Sequence, residues 1–180
     1  MKAPAQAGLS LVELLVVIMI LGLAAMLAIP SFSASDHSKL DLAAEELAQA
    51  IRYARSLAMQ QGAPFGFVTD APGLRIRVFR ADTGTNPWTP VFDVYHPLTK
   101  SLYDVDLANH PFAKVDNLNR SATFRGTCNA PTYVYFDTNG TPWCGDPESV
   151  LLEQGDMTFS LKGETRVVSV NGISGRVTIQ

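Results

Sequence analysis

Cysteine and histidine are scarce in this chain, with two of the first and three of the second among 180 residues. Cys128, Cys144, His37, His96 and His110 make no ligand-spaced set, which speaks against zinc or another metal. Also missing are a GxSxG elbow, a phosphate-cradling glycine loop and an HExxH pair. Nucleophilic, nucleotide-dependent and zinc-peptidase chemistry therefore find no support. The histidines are separated and flanked by loop residues, so the chain reads as a non-enzyme and calls for no cofactor. Positive charge is not in excess either. Fourteen Lys and Arg against seventeen Asp and Glu leave a net charge of −3, which argues against nucleic-acid binding by bulk electrostatics. Internal repeats are absent, which excludes solenoids and arrays.

Long apolar runs are confined to one place. Residues 9–32 read LSLVELLVVIMILGLAAMLAIPSF, and Glu13 carries the only formal charge in them. As a helix rising about 1.5 Å per residue, this run can cross a hydrocarbon layer of about 30 Å. A charge inside such a segment costs on the order of 2.5–3.5 kcal/mol on insertion scales, so it calls for a partner or a function. No basic residue of the segment is within helical reach of Glu13. Its partner must be the chain's own amino end, a lipid headgroup or another molecule.

A secretory signal peptide needs a basic start, a short apolar core and a small-x-small cleavage site. Lys2 and Ser31-Phe32-Ser33-Ala34 supply two of these, but the apolar run is too long and encloses Glu13. A plain anchor explains the length and leaves Glu13 unexplained. Ala7-Gly8 followed by Leu9-Ser10-Leu11-Val12-Glu13-Leu14 resembles the prepilin motif of type IV pilins and type II secretion pseudopilins. The resemblance implies cleavage after Gly8 by a prepilin peptidase, which also methylates the new amine on Leu9. It places the acidic fifth mature residue at Glu13 and a helix-bending proline at Pro30. One departure is Leu9, where most family members have Phe. The resemblance further implies that Glu13 meets the N-terminal ammonium of a neighbouring subunit during assembly. Two charges stranded in a low-dielectric layer each lose hydration, and pairing recovers part of that loss.

If this segment inserts, Cys128 and Cys144 lie outside the cytoplasm, where thiols are expected to pair. The bridge would close a loop of about 15 residues, worth roughly 3 kcal/mol in the loop-entropy model. The alternative is two half-buried thiols.

Beyond the anchor, Leu40, Ala44, Leu47, Ile51, Ala54 and Ala58 recur at four- and three-residue steps, the signature of one buried helix face. Ser35 or Asp36 can cap its start and Gly62 ends it. From Pro64 onward the period becomes two. Residues 65–69 and 74–78 flank the turn Asp70-Ala71-Pro72-Gly73 and predict a hairpin with Leu74, Ile76 and Val78 on one face. Further strands are expected at 91–95, 132–136, 150–152, 157–161, 166–170 and 176–179. Residues 86–125, punctuated by Pro, Asn and Asp, read as a long excursion from the sheet.

Here the resemblance narrows. Ala50-Ile51-Arg52-Tyr53-Ala54-Arg55-Ser56 with Gln61-Gly62, Phe136-Asp137-Thr138-Asn139-Gly140-Thr141-Pro142, and Gly175-Arg176-Val177 resemble the GspH/FimT group of minor pilins and pseudopilins. Ala58-Met59-Gln60-Gln61 also resembles minor pilins of the mannose-sensitive haemagglutinin pilus. The group implies a low-abundance subunit that initiates or caps a fibre. Some FimT-like members take part in DNA uptake through a C-terminal Gly-Arg-x-Arg stretch, but Gly175-Arg176-Val177-Thr178 lacks the second arginine. Arg75, Arg77 and Arg80 offer a possible basic strip on the hairpin. Asp137, Asn139 and Glu148 imitate part of an EF-hand loop, yet Pro142 stands where that loop needs its glycine.

The resulting expectation is an α+β, pilin-like fold. A long N-terminal helix, half membrane-embedded and half amphipathic, packs on an antiparallel β-sheet or β-sandwich head. Residues 1–8 form the leader, 9–35 the transmembrane and assembly helix, 36–61 the amphipathic half and 62–180 the periplasmic head. The chain is expected to be a minor pilin held in the inner membrane and taken into a type IV pilus or its tip complex. Its partners are the prepilin peptidase/methyltransferase and other pilins. The alternatives are a GspH-type pseudopilin of a type II secretion system, and a tip adhesin or DNA-binding minor pilin. In the last case residues 86–125 or the cysteine loop would supply the contact surface.

Overall fold

The structure is a computed structural model that describes residues 11–28, 36–70, 74–85, 88–124, 133–144 and 150–180. The chain divides into two units, 1–33 and 34–180. In the first, α1 (Leu11–Ala28) is apolar on every side, Glu13 excepted. Its side chains from Leu11 to Leu21 are exposed. A helix with no polar face belongs in a protein core or in lipid. The eighteen residues of α1 reach about 27 Å at 1.5 Å each, and among the described residues no helix is long and apolar enough to cross a membrane.

The second unit opens with α2 (Asp36–Gln61), rich in Ala, Leu, Glu, Gln and Arg and with one β-branched residue, Ile51. These are good helix formers. All six residues of the expected stripe are fully buried, joined by Ala43, Ala48, Ala50 and Leu57. Six of the ten are alanines, which let the helix axis lie close to the sheet while Leu40, Leu47 and Ile51 fill the hollows. Full burial of each of these three is worth about 1.5–3 kcal/mol. The helix stops at Gly62, whose N–H donates to the Ala58 carbonyl at 3.1 Å.

Among the described residues ten antiparallel strands follow: β1 (Phe65–Asp70), β2 (Arg75–Asp82), β3 (Thr89–Val91), β4 (Asp104–Asp106), β5 (Asn117–Phe124), β6 (Tyr133–Phe136), β7 (Pro142–Cys144), β8 (Val150–Leu161), β9 (Glu164–Asn171) and β10 (Val177–Ile179). Their order is β10-β9-β8-β7-β6-β1-β2-β3, with β4 also on β2 and β5 also on β8. The helix packs on this sheet, against strands including β1, β2, β8 and β9. Phe65, Phe67, Ile76, Val78, Phe136, Phe159 and Val168 form the core with α2. The expected hairpin is present, and Leu74, Ile76 and Val78 are buried. A second cluster of Phe79, Ala81 and Tyr135, covered by Trp88, Phe92 and Trp143, lies apart from that core. Phe79 faces Gly66 across the β1–β2 ladder. A Cβ on Gly66 would come within 2.5 Å of the Phe79 ring, so the aromatic fills the space that the glycine leaves.

Residues 86–125 are not an excursion. They contain β3, β4 and β5 and bury Val94, Tyr103, Leu107, Val115 and Leu118. Their strands escape sequence detection because β3 and β4 are three residues long and share one edge of β2, at Arg80–Asp82 and Arg75–Arg77 respectively. The strands expected at 150–152 and 157–161 are one twelve-residue strand, β8. Its first two residues pair with β7 and the remainder with β5 and β9.

The start of α2 is tied to the β8–β9 hairpin by charge. Lys162 Nζ lies 2.9 Å from Asp36 Oδ2, and Arg166 Nε lies 2.6 Å from Asp41 Oδ1. His37 Nδ1 contacts Asp41 at 2.8 Å, and its Nε2 faces the Arg166 guanidinium. The hydrogen bond from Lys162 holds the Asp36 carboxyl below its usual range against slight desolvation. Burial pushes the Asp41 carboxyl up, but Arg166 and then His37 outweigh it and the net direction is down.

Candidate assembly surfaces

Glu13 sits in the first turn of α1, exposed among exposed Leu and Val side chains. Among the described residues of that unit none is basic, since no Lys, Arg or His lies between Leu11 and Ala28. Gly8, Leu9, Pro30 and Cys128 lie outside the described residues, as does Glu148. Cys144 closes β7 and is fully buried.

In the head, three stretches that are far apart in sequence meet at Arg55. Its Nε donates to the Gly140 carbonyl at 3.0 Å. Gly140 and Gly175 both have positive φ, +76° and +61°. A Cβ at Gly175 would lie 2.8 Å from the Gly140 oxygen and 2.9 Å from Arg55 Nε. Both positions therefore need glycine for conformation and for room. The last turns of α2, the β6–β7 turn and the β9–β10 turn are thus drawn into one knot. Beside it, Arg52, Arg55, Met59 and Arg176 line a cavity of about 270 Å³.

Asp137 shapes the middle strand of that knot. Its Oδ1 accepts from the Asn139 and Thr141 amides at 2.8 and 2.9 Å, and its Oδ2 accepts from Trp143 Nε1 at 3.0 Å. Both carboxylate oxygens serve the turn, in keeping with Pro142 standing where a calcium loop needs its glycine. The signal was the Asp-x-Asn-Gly run itself, which favours an Asx-type turn.

The basic strip does not form. Side chains alternate across a strand, so Arg75 and Arg77 share a face of β2 that Arg80 does not. Each arginine also meets a carboxylate: Arg75 with Asp104 at 2.6 Å, Arg77 with Asp70 at 2.6 Å and Arg80 with Asp93 at 2.7 Å. Asp93 in turn raises the Arg80 pKa. The guanidinium carbon of Arg77 sits over the Phe92 ring, 4.1 Å from its centroid. Arginines so engaged serve the fold rather than a phosphate backbone.

His96 and His110 are turn residues. The Nδ1 of His96 accepts from the Leu98 and Thr99 amides, and that of His110 accepts from the Phe112 and Ala113 amides. Tyr103 is buried beside His96, its ring 4.8 Å from that imidazole and 5.8 Å from Tyr53. Burial pushes its phenol pKa up, and Glu46 and Tyr53 add to the shift. The apolar exposure of Leu98, Leu102 and Phe112 around these turns has no periodic signature in the sequence.

Residues 43–175 match the family described as Type II transport protein GspH, and residues 4–29 match the prokaryotic N-terminal methylation motif. No characterised protein sequence matches the chain. Among solved structures, the minor pseudopilin EpsH from the type II secretion system of Vibrio cholerae is similar at 13% identity and a TM-score of 0.51. That match covers 78% of this chain and 92% of that one. The type IV minor pilin FimU of Pseudomonas aeruginosa matches at 20% identity and a TM-score of 0.49, over 81% of this chain and 91% of that one.

Proposed function

The chain belongs to the GspH family of minor pilins and pseudopilins, and from that premise we propose that it is made as a prepilin, cut after Gly8 and N-methylated on Leu9. It is a structural subunit, and its family assembles with other pilins or pseudopilins into a fibre. The observation that carries the proposal is the apolar N-terminal segment with Glu13 as its sole charge, inside a match to the methylation motif. The prepilin peptidase/methyltransferase is the processing partner. Residues 9–29 hold the subunit in the inner membrane until assembly, Pro30 bends the helix that leaves it, and the head stands in the periplasm. In the fibre, Glu13 pairs with the N-terminal ammonium of the adjacent subunit. The fibre is a type IV pilus, its initiating tip complex, or the pseudopilus of a secretion system.

Mass spectrometry of the mature chain tests the processing step. The expected amino terminus is Leu9 bearing one methyl group. A terminus after Ala34, or an intact Met1 in assembled material, contradicts it.

The proposal also includes a Cys128–Cys144 bridge. Supporting it are the complete burial of Cys144 and the lack of a free thiol among the described residues. Alkylation of the non-reduced, denatured mature chain is expected to label no cysteine, and reduction should release two sites. Two labelled thiols before reduction rule the bridge out.

A further inference from the structure

Around the two histidine turns the head carries a concentration of exposed apolar side chains. Leu98 is 82% exposed, Phe112 61%, Tyr95 58% and Leu102 51%. Beside them lies a groove of about 430 Å³, lined among others by Glu46, His96, Leu98, Leu102, Val105 and His110. Its walls are held from within. His96 and His110 each cap two amides of their own turns, and Asp106 accepts from the Ala108 amide at 2.9 Å. Surfaces held in this way lose little entropy on binding.

The formal charges lining the groove are all acidic: Glu46, Asp104 and Asp106. Two of the three are occupied. Asp104 takes both hydrogen bonds of Arg75, at 2.6 and 2.9 Å, and Asp106 binds Asn109 and its own turn. No hydrogen bond or ion pair engages Glu46 among the described residues, and its charge acts only on the nearby Tyr103 phenol. With Nδ1 accepting from the turn amides, each histidine ring can donate from Nε2. Large apolar anchors beside an unpaired carboxylate define a seat for an apolar side chain with a cation next to it. An anionic lipid surface is the wrong partner, because it attracts basic patches.

We propose that this groove is the seat of a neighbouring pilin-like subunit of a different sequence, which inserts an apolar side chain and pairs a flanking Lys or Arg with Glu46. This rests on the reading of the chain as a fibre subunit. An apolar anchor surrounded by polar contacts is the usual energetic centre of a protein interface. Complementary charge at such a site selects the partner and fixes its register.

The test uses the full-length chain in cells that assemble the fibre, with the photo-crosslinker benzoylphenylalanine in place of Leu98. Sheared fibres from the same cells report whether the chain is incorporated. Irradiation is expected to yield an adduct with a second pilin-like subunit, attached close to a Lys or Arg. Glu46→Lys should lower the adduct per incorporated chain about tenfold, corresponding to one lost charge pair of ordinary interface strength. Glu46→Gln, which keeps the shape, should fall between the two. The inference is overturned by incorporation without an adduct, or by adduct yields that ignore both Glu46 variants. It is likewise overturned by an adduct with lipid, with a second copy of this chain or with a protein lacking the N-terminal motif. Absence of the chain from fibres sinks the proposed function first, and this inference with it.

Discussion

Glu13→Ala is expected to leave the full-length chain in the membrane fraction and to reduce its presence in sheared fibres by about a hundredfold or more. The size follows from what the substitution strands. Removing one member of an ion pair in a low-dielectric layer typically costs about 3–5 kcal/mol, because the surviving charge stays desolvated. In the proposed contact the survivor is the ammonium of the neighbouring subunit. Membrane residence should not suffer, since α1 loses its only charge and gains helix propensity. The measurement is the ratio of fibre-borne to membrane-borne chain for variant and wild type. Glu13→Gln separates charge from hydrogen bonding and should incorporate nearly as poorly. Equal ratios for all three chains would remove the proposed contact.

The second large effect concerns the head alone. Gly172 lies at the end of the β8–β9 ladder, where its N–H donates to the Glu153 carbonyl at 3.1 Å. A Cβ there would stand 1.8 Å from the Leu152 carbonyl oxygen and 2.6 Å from that of Glu153. Both obstacles are backbone, so no rotamer change relieves them. Gly172→Ala must push β8 away from the β9–β10 turn, and Leu152, a core residue, moves with it. Overpacking of this kind costs about 1–3 kcal/mol even where side chains can yield. With backbone on both sides, a loss of about 3 kcal/mol or more is expected, lowering Tm by roughly 10 °C. Thermal unfolding of the mature protein followed by circular dichroism measures it. A shift within a degree or two of wild type would show that the turn can open without consequence. Gly163→Ala is the control: its Cβ would meet nothing within 4 Å, so only its left-handed φ of +90° resists.

Helix and site were unevenly legible in the sequence, for physical reasons. The stripe from Leu40 to Ala58 was readable because α2 buries one continuous face and leaves its opposite side to water, which imposes a period near 3.6. β1 and β2 were readable in part. Ile76 and Val78 alternate with arginines, but Phe79 and Ala81 are buried too, in the separate aromatic cluster. A strand covered on both faces loses its period-two signature. The sequence separates strands at 150–152 and 157–161, yet Gln154, Gly155 and Asp156 are paired on both sides, with β5 and with β9, and only a register shift at Glu153 interrupts β8. Gly8, Leu9 and Glu13 are legible as part of a linear motif, matched over residues 4–29, whose recognition needs no fold. The meeting of Arg55 with Gly140 and Gly175 was not, since 85 residues separate the hydrogen-bonded pair. Each of the three stretches could be recognised by resemblance, but their common purpose appears only when folding brings them together.

β8 has a consequence for how the head fails. One strand belongs to two ladders: Val150 and Leu151 complete the β6–β7 side, while residues 152–161 carry β5 and β9. Neither ladder can be peeled off without dragging the shared strand out of the other, so partial unfolding offers no cheap intermediate. Proteins often open in sub-global units smaller than the whole. A head stitched by a common strand has few such units and is expected to yield as one. For a subunit that must stay shut to proteases while it waits to be assembled, the weakest point is then not an edge or a loop but the integrity of a single twelve-residue strand.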